Sequence, residues 1–288
     1  MKKFIMMILC LFLLTTTIYA ESSVWQLKSD NSKFYIAGSF HALKKSDYPL
    51  PTEFETAYKN SEQLVFETYI NEISKMETQS ILMSKALYNG DETLAKQLSK
   101  KAYESLKKYC DTRGFPVENF AKFKPWMVAM ALATLEMQKN GINFSDGMDL
   151  YFNNKANQDG KPSLGLVSVK EHIDIISSFG DELNDFIIEN FIKEMDELVK
   201  FIEDLKIAWK TGNEEQIDKY VSGRLREEYP KLYKLIISDR NQKWLGTVEN
   251  FIKTGKNTMV IVGAGHLVGQ DSLIKLLAQK GYKFEKLK

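Results

Sequence analysis

Apolar residues follow two rhythms along this chain, short unbroken runs and long stripes recurring every three or four positions, and the two predict different elements. Ser23–Lys28 (SVWQLK) and Lys33–Ala37 (KFYIA) flank the turn-forming quartet Ser29-Asp30-Asn31-Ser32 and predict a β-hairpin. Gln63–Phe66 (QLVF), Ser163–Val167 (SLGLV) and Thr258–Val262 (TMVIV) predict buried strands, and Lys283–Leu287 a closing one. Elsewhere the helical period rules. A short helix is expected at Glu53–Lys59, behind Pro49-Leu50-Pro51. From about Asn71 to Asn140, Ile73, Met76, Ile81 and Leu87 recur at helical steps, then Leu94, Leu98, Ala102 and Leu106 at every fourth position. Phe123–Met137 is apolar nearly all round and predicts a buried helix with Pro125 in its first turn, where a missing N–H breaks no bond. Gly147–Gln158 predicts another short helix. Ile187 to Leu205 trace one stripe, which Lys210-Thr211-Gly212-Asn213 stops. Further helix is predicted at Ile217–Tyr220, Leu232–Ile252 and Asp271–Gln279, with Asp271 and Ser272 as candidate caps of the last.

Short apolar strands separated by helices predict an α/β fold, a central and largely parallel sheet covered by helices, with a large helical insertion at about 71–160. No linker-like tract divides the chain, so residues 21–288 read as one domain. Residues 1–20, MKKFIMMILCLFLLTTTIYA, have the pattern of a secretory signal peptide: Lys2 and Lys3, the apolar run Phe4–Leu14, then small Ala20. That run falls short of the roughly 20 residues a bilayer requires; an uncleaved anchor that also uses Thr15–Ala20 is the alternative. An exported protein, periplasmic or secreted, is the expectation. Cleavage leaves Cys110 as the only cysteine, which rules out an intramolecular disulfide and a thiolate metal cluster. Its helical neighbours Leu106 and Tyr109 predict a small core residue.

The 288 residues are 44% hydrophobic, enough for a sizeable core, and carry a net charge of +1. Without Lys2 and Lys3 there are 37 basic against 38 acidic side chains, which offers no footprint for nucleic acid. Lys100, Lys101, Lys107 and Lys108 are spaced as one solvated helix face.

Candidate chemistry enters through the histidines, of which there are only three. Gly38-Ser39-Phe40-His41 and Gly263-Ala264-Gly265-His266 each close a strand-like run with Gly-x-x-His. Ligands of parallel sheets bind beyond the carboxyl ends of the strands. Neighbouring strands ending at Ala37, Phe66 and Val262 would therefore bring His41, Glu67 and His266 to one rim. Two imidazoles and a carboxylate suit a divalent cation with an open position, which polarises carbonyls and acidifies water. Gly38 and Gly263 are expected at sharp turns, and Gly265 where backbone approaches a ligand. The competing reading is that each histidine is a hydrogen-bonded structural residue. His172, on a predicted helix, reads as structural, with an auxiliary role at the site as the alternative.

The blocks around these motifs resemble the TraB/GumN family, related to the Tiki metalloproteases. The resemblance is carried by Phe34–His41, Tyr48-Pro49-Leu50-Pro51, Leu64-Val65-Phe66-Glu67, Lys124-Pro125-Trp126, Gly147-Met148-Asp149, Asp239-Arg240-Asn241, Trp244, Val262–Gly269 and Lys280-Gly281-Tyr282. It spans about residues 23–287 and implies a hydrolytic site dependent on a divalent metal ion (Mn, Co or Zn). His41 and His266 are the implied metal ligands, and Glu67 is a ligand or the general base. Arg240 is a positive group near substrate charge or, equally, a structural partner of a carboxylate such as Glu67. Two positions depart from the family pattern. Ser39 stands where Thr is common and keeps the hydroxyl. Leu166-Val167-Ser168 stands where Leu-Glu-Thr is frequent, and Val167 can neither ligate a metal nor carry a proton, although Glu171 follows one helical turn later. The implied function is an exported, metal-dependent hydrolase of peptidase type acting on a peptide or small-molecule substrate. The reading from a different class is a non-catalytic binding or regulatory protein with a degenerate metal site. Membrane contact is expected only through an uncleaved opening segment, and no oligomeric state is assigned.

Overall fold

The computed structural model describes residues 22–28, 33–178 and 184–288; the expected signal segment 1–20 and the turn Ser29–Ser32 lie outside them. Six strands, β1 (Val24–Leu27), β2 (Phe34–Ser39), β3 (Gln63–Thr68), β4 (Ser163–Val167), β5 (Thr258–Gly263) and β6 (Phe284–Lys286), form one sheet in the order β4-β3-β5-β2-β1-β6. β4, β3, β5 and β2 run parallel, and β1 lies antiparallel to both β2 and β6. The fold is α/β, a mostly parallel mixed sheet flanked by helices.

The unbroken apolar runs have a simple cause: β2, β3 and β5 are buried at every position because helices cover both faces. Side chains alternate between faces. Tyr35, Ala37, Leu64, Phe66, Met259 and Ile261 pack toward Phe54, Phe152 and Trp209 on one side. Phe34, Ile36, Val65, Val260 and Val262 pack toward Trp244, Leu273 and Leu277 on the other. A separate cluster joins Leu94, Ala102, Leu106, Val128 and Leu132 to Ile188. Among the described residues no helix is long and apolar enough to cross a membrane.

Several helices differ from the expected pattern. The every-fourth stripe Leu94–Leu106 is cut into Leu94–Gln97 and Lys100–Arg113, because Ser99 turns its hydroxyl to the Ala102 N–H and starts a new helix. The Ile187–Leu205 stripe is likewise two helices, Asn184–Met195 and Leu198–Lys210. Wider turns of π geometry at Lys219–Gly223 and Lys234–Ser238 interrupt the stretch before the helix Asp239–Lys253. The Pro125–Lys139 helix is not apolar core all round, since Met130 is 45% exposed. Cys110 is fully buried, which pushes its thiol up to about 11. Ser272 caps the Leu273–Gln279 helix, while Asp271 accepts a hydrogen bond from the Tyr233 hydroxyl instead.

Candidate functional site

Glu67 sits one residue before the end of β3, inside the strand rather than past it. β5 lies between β3 and β2, so the loops after β2 and β5 deliver His41 and His266 beside Glu67. The Nε2 atoms of both rings lie 3.9 Å from Glu67 Oε1. That same oxygen accepts the Gly263 N–H at 2.8 Å, and Oε2 accepts Arg240 Nη2 at 2.5 Å. Burial alone would raise the Glu67 pKa, but Arg240 and then His266 and His41 outweigh it and hold the carboxylate well below its usual range.

Each imidazole is fixed through its other nitrogen. Asn241 donates its amide N–H groups to the His266 and Asp271 carbonyls, at 3.1 and 2.8 Å, so its oxygen faces His266 Nδ1 at 2.8 Å. That places the proton on Nδ1 and leaves the Nε2 lone pair facing Glu67 and Arg240. Burial drives the His266 pKa down to about 3. His41 Nδ1 instead meets Asp149 Oδ2 at 2.7 Å, and the Asp149 charge raises its pKa to about 9 although half its side chain is exposed. His266 is therefore neutral at pH 7 and His41 holds its proton.

The supporting residues come from helix ends. The Met148–Gln158 helix carries Asp149 in its first turn, and the Met148 N–H bonds to the Phe40 carbonyl. A Cβ on Gly147 would fall 2.0 Å from the His41 carbonyl oxygen, so only glycine lets this helix start against the His41 loop. Arg240, Asn241 and Trp244 share one face of the Asp239–Lys253 helix. Trp244 lies under the Arg240 guanidinium, 4.5 Å from its ring centre, and against the His266 ring at 4.6 Å. His172, on the Val169–Ile176 helix, accepts from Arg240 Nη2 at 3.4 Å. Its pKa is lowered, first by burial.

The structure thus brings His41, Glu67, Arg240 and His266 together and adds Asp149, Asn241 and His172. Gly147-Met148-Asp149 and Asp239-Arg240-Asn241 had stood out as blocks, but nothing in their local pattern names a partner 108 or 25 residues away. The motif glycines serve protein packing. None of Gly38, Gly263 and Gly265 has positive φ. A Cβ on Gly38 would stand 3.1 Å from Ala264, one on Gly263 3.1 Å from His41 Nε2, and one on Gly265 2.7 Å from a Val221 methyl. Val167 is buried in the core, and Glu171 pairs with Lys243, so neither gives the site a carboxylate. Among the described residues no group of three or more His, Cys, Asp or Glu side chains is arranged to hold a metal ion.

An α/β sheet whose carboxyl edge carries two histidines around a buried glutamate–arginine pair defines the class. The chain belongs to the TraB/PrgY/gumN family, whose model matches residues 23–286. It is 22% identical over 247 residues to the uncharacterised protein YbaP of Escherichia coli (strain K12), and equally to YbaP of Shigella flexneri, covering 86% of this chain and 88% of each relative. No solved structure matches.

Proposed function

We propose that this protein is an exported hydrolase of peptidase type that works with a divalent metal ion at His41, His266 and Glu67. One observation carries the reading: two Nε2 atoms, each with its Nδ1 anchored by Asp149 or Asn241, face a single buried carboxylate oxygen at 3.9 Å. Anchoring of the far nitrogen by a carboxylate or amide is the arrangement that orients metal-bound imidazoles. Two donors each about 2.1 Å from a tetrahedral ion stand about 3.4 Å apart, so at 3.9 Å the three side chains would have to draw inward, and His41 give up its second proton, to hold such an ion. The ion would supply Lewis-acid polarisation of a carbonyl. The low proton affinity of Glu67 supports the ligand role over the base role. Arg240 Nε, buried without a hydrogen-bond partner, is a donor available to a substrate oxygen. Kinship with the Tiki metalloproteases, expected from the paired motifs, and export, expected from residues 1–20, belong to this proposal.

The second reading, a binding or regulatory protein with a degenerate site, is favoured by a specific contact. Both Glu67 oxygens are already engaged, and the Arg240 guanidinium stands 3.5 Å from His266 Nε2, where it would oppose a cation. Metal analysis separates the two. The wild type is expected to retain Mn, Co or Zn after dialysis, and His41→Ala or His266→Ala to lower affinity by at least about 10–100-fold. Peptide turnover is expected to vanish in Glu67→Gln. A wild type that neither holds nor takes up metal sinks the hydrolase reading; a gain of turnover in Val167→Glu would favour the degenerate site.

A further inference from the structure

Two cavities meet at the cluster. An inner chamber of about 380 Å³, within the roughly 300–1,000 Å³ usual for ligand pockets, is walled by Ile202, Leu205, Val221, Leu225 and Ile237. An outer cleft of about 570 Å³ is lined by Thr68, Ile70, Asn71 and Asn154. His41, Glu67 and Phe144 line both, so the cluster forms the waist between them. Two polar atoms of the chamber lining, Ser39 Oγ and Arg240 Nε, are buried without a hydrogen-bond partner. Buried polar groups are normally paired, and a ligand at the waist would pair these. Beyond the cluster, His172 and Asp149, the two linings carry no charged side chain, and Asp149 is already held by His41. A free chain terminus lodged in either cavity away from the waist would thus bury its charge against no dedicated partner, since Arg240 and His41 stand at the waist itself.

We infer that an extended peptide lies through the waist, with one bulky apolar side chain in the inner chamber and the chain continuing along the outer cleft, so that the bond presented to the cluster is internal. This assignment of substrate class rests on the hydrolase reading, and Leu225, half-buried on the chamber wall, sets the size of side chain accepted.

The test uses the full chain and short peptides capped at both ends, differing only in a central leucine, phenylalanine, alanine or aspartate. Binding is read from the intrinsic tryptophan fluorescence, to which Trp209 in the chamber lining contributes, and cleavage by mass spectrometry of the same samples with Mn, Co or Zn added. Leucine and phenylalanine peptides should bind at least about tenfold more tightly than the aspartate peptide, the low end of what burying such a side chain provides. Removing the caps should not tighten binding. Leu225→Trp should reverse the order of leucine and alanine, while the milder Leu225→Ala keeps leucine and improves phenylalanine. Equal affinity for leucine and aspartate, a need for a free terminus, no binding by any peptide, or an unchanged order in both variants overturns the inference. If the order holds and no peptide is cut, the binding mode stands and the hydrolase reading falls.

Discussion

Glu67 is decided by competition between burial and charge. Its carboxylate is 8% exposed, as is Arg240, and an unpaired ion at such depth is costly. Arg240→Met should therefore destabilise the protein by about 3–5 kcal/mol in chemical denaturation, because it strands the carboxylate. Adding Glu67→Gln should recover much of the loss; a double variant as unstable as the single one would show that the stranded charge is not the cause. The sequence placed Glu67 at the close of an apolar strand but left two partners open for Arg240, a substrate charge or a protein carboxylate. The structure shows the carboxylate contact, a bond of 2.5 Å to Glu67, and leaves Arg240 Nε without a hydrogen-bond partner. A lone arginine in a helical stretch carries no local sign of which carboxylate it will meet.

Among the elements, strands were the more legible because covering helices bury every position of β3 and β5 and leave the unbroken apolar runs Leu64–Phe66 and Met259–Val262. Helix boundaries were less so. The period of Leu94, Leu98, Ala102 and Leu106 survives the break at Ser99 because both short helices feed the same cluster. Buried spacing reports what is covered, not whether the backbone is continuous. The helix starting at Met148 shows how one element fixes another's side chain. Gly147→Ala would drive a methyl into the His41 carbonyl, and should cost about 1–3 kcal/mol or more and displace His41 from Asp149. Gly246→Ala makes the contrasting case: it lies within the Asp239–Lys253 helix with nothing within 4 Å of its added methyl. It should raise stability by about 0.4–1 kcal/mol. Thermal unfolding of both variants checks the pair, and similar losses from the two would refute the steric account.

For the whole molecule, the cluster predicts a bell-shaped dependence of stability on pH. His41, raised from 6.5 to about 9, contributes stability that is full below 6.5 and lost as the pH rises to about 9. Its half-exposed ring is screened by solvent, so this limb is shallow. His266, lowered from 6.5 to about 3, acts oppositely: below 6.5 the unfolded chain takes up a proton that the fold refuses, and stability falls. Glu67, held under its ordinary 4.5, stabilises fully above that value and progressively less below it. These groups place the maximum near pH 6.5. Denaturation of metal-free protein from pH 4 to 9 should show both limbs, and Asp149→Asn should flatten only the alkaline one; a limb that persists in that variant removes Asp149 as its source.

The pairing of β2 with β5 has a consequence for synthesis. Phe34 finds its partner Thr258 only once all the chain between them has been made, and His41 and His266 follow directly on those two strands. A ribosome-bound or truncated chain that stops before Thr258 carries His41 and His172 but lacks His266. Any reactivity of the cluster is thereby withheld from the nascent polypeptide and appears only once the sheet has closed.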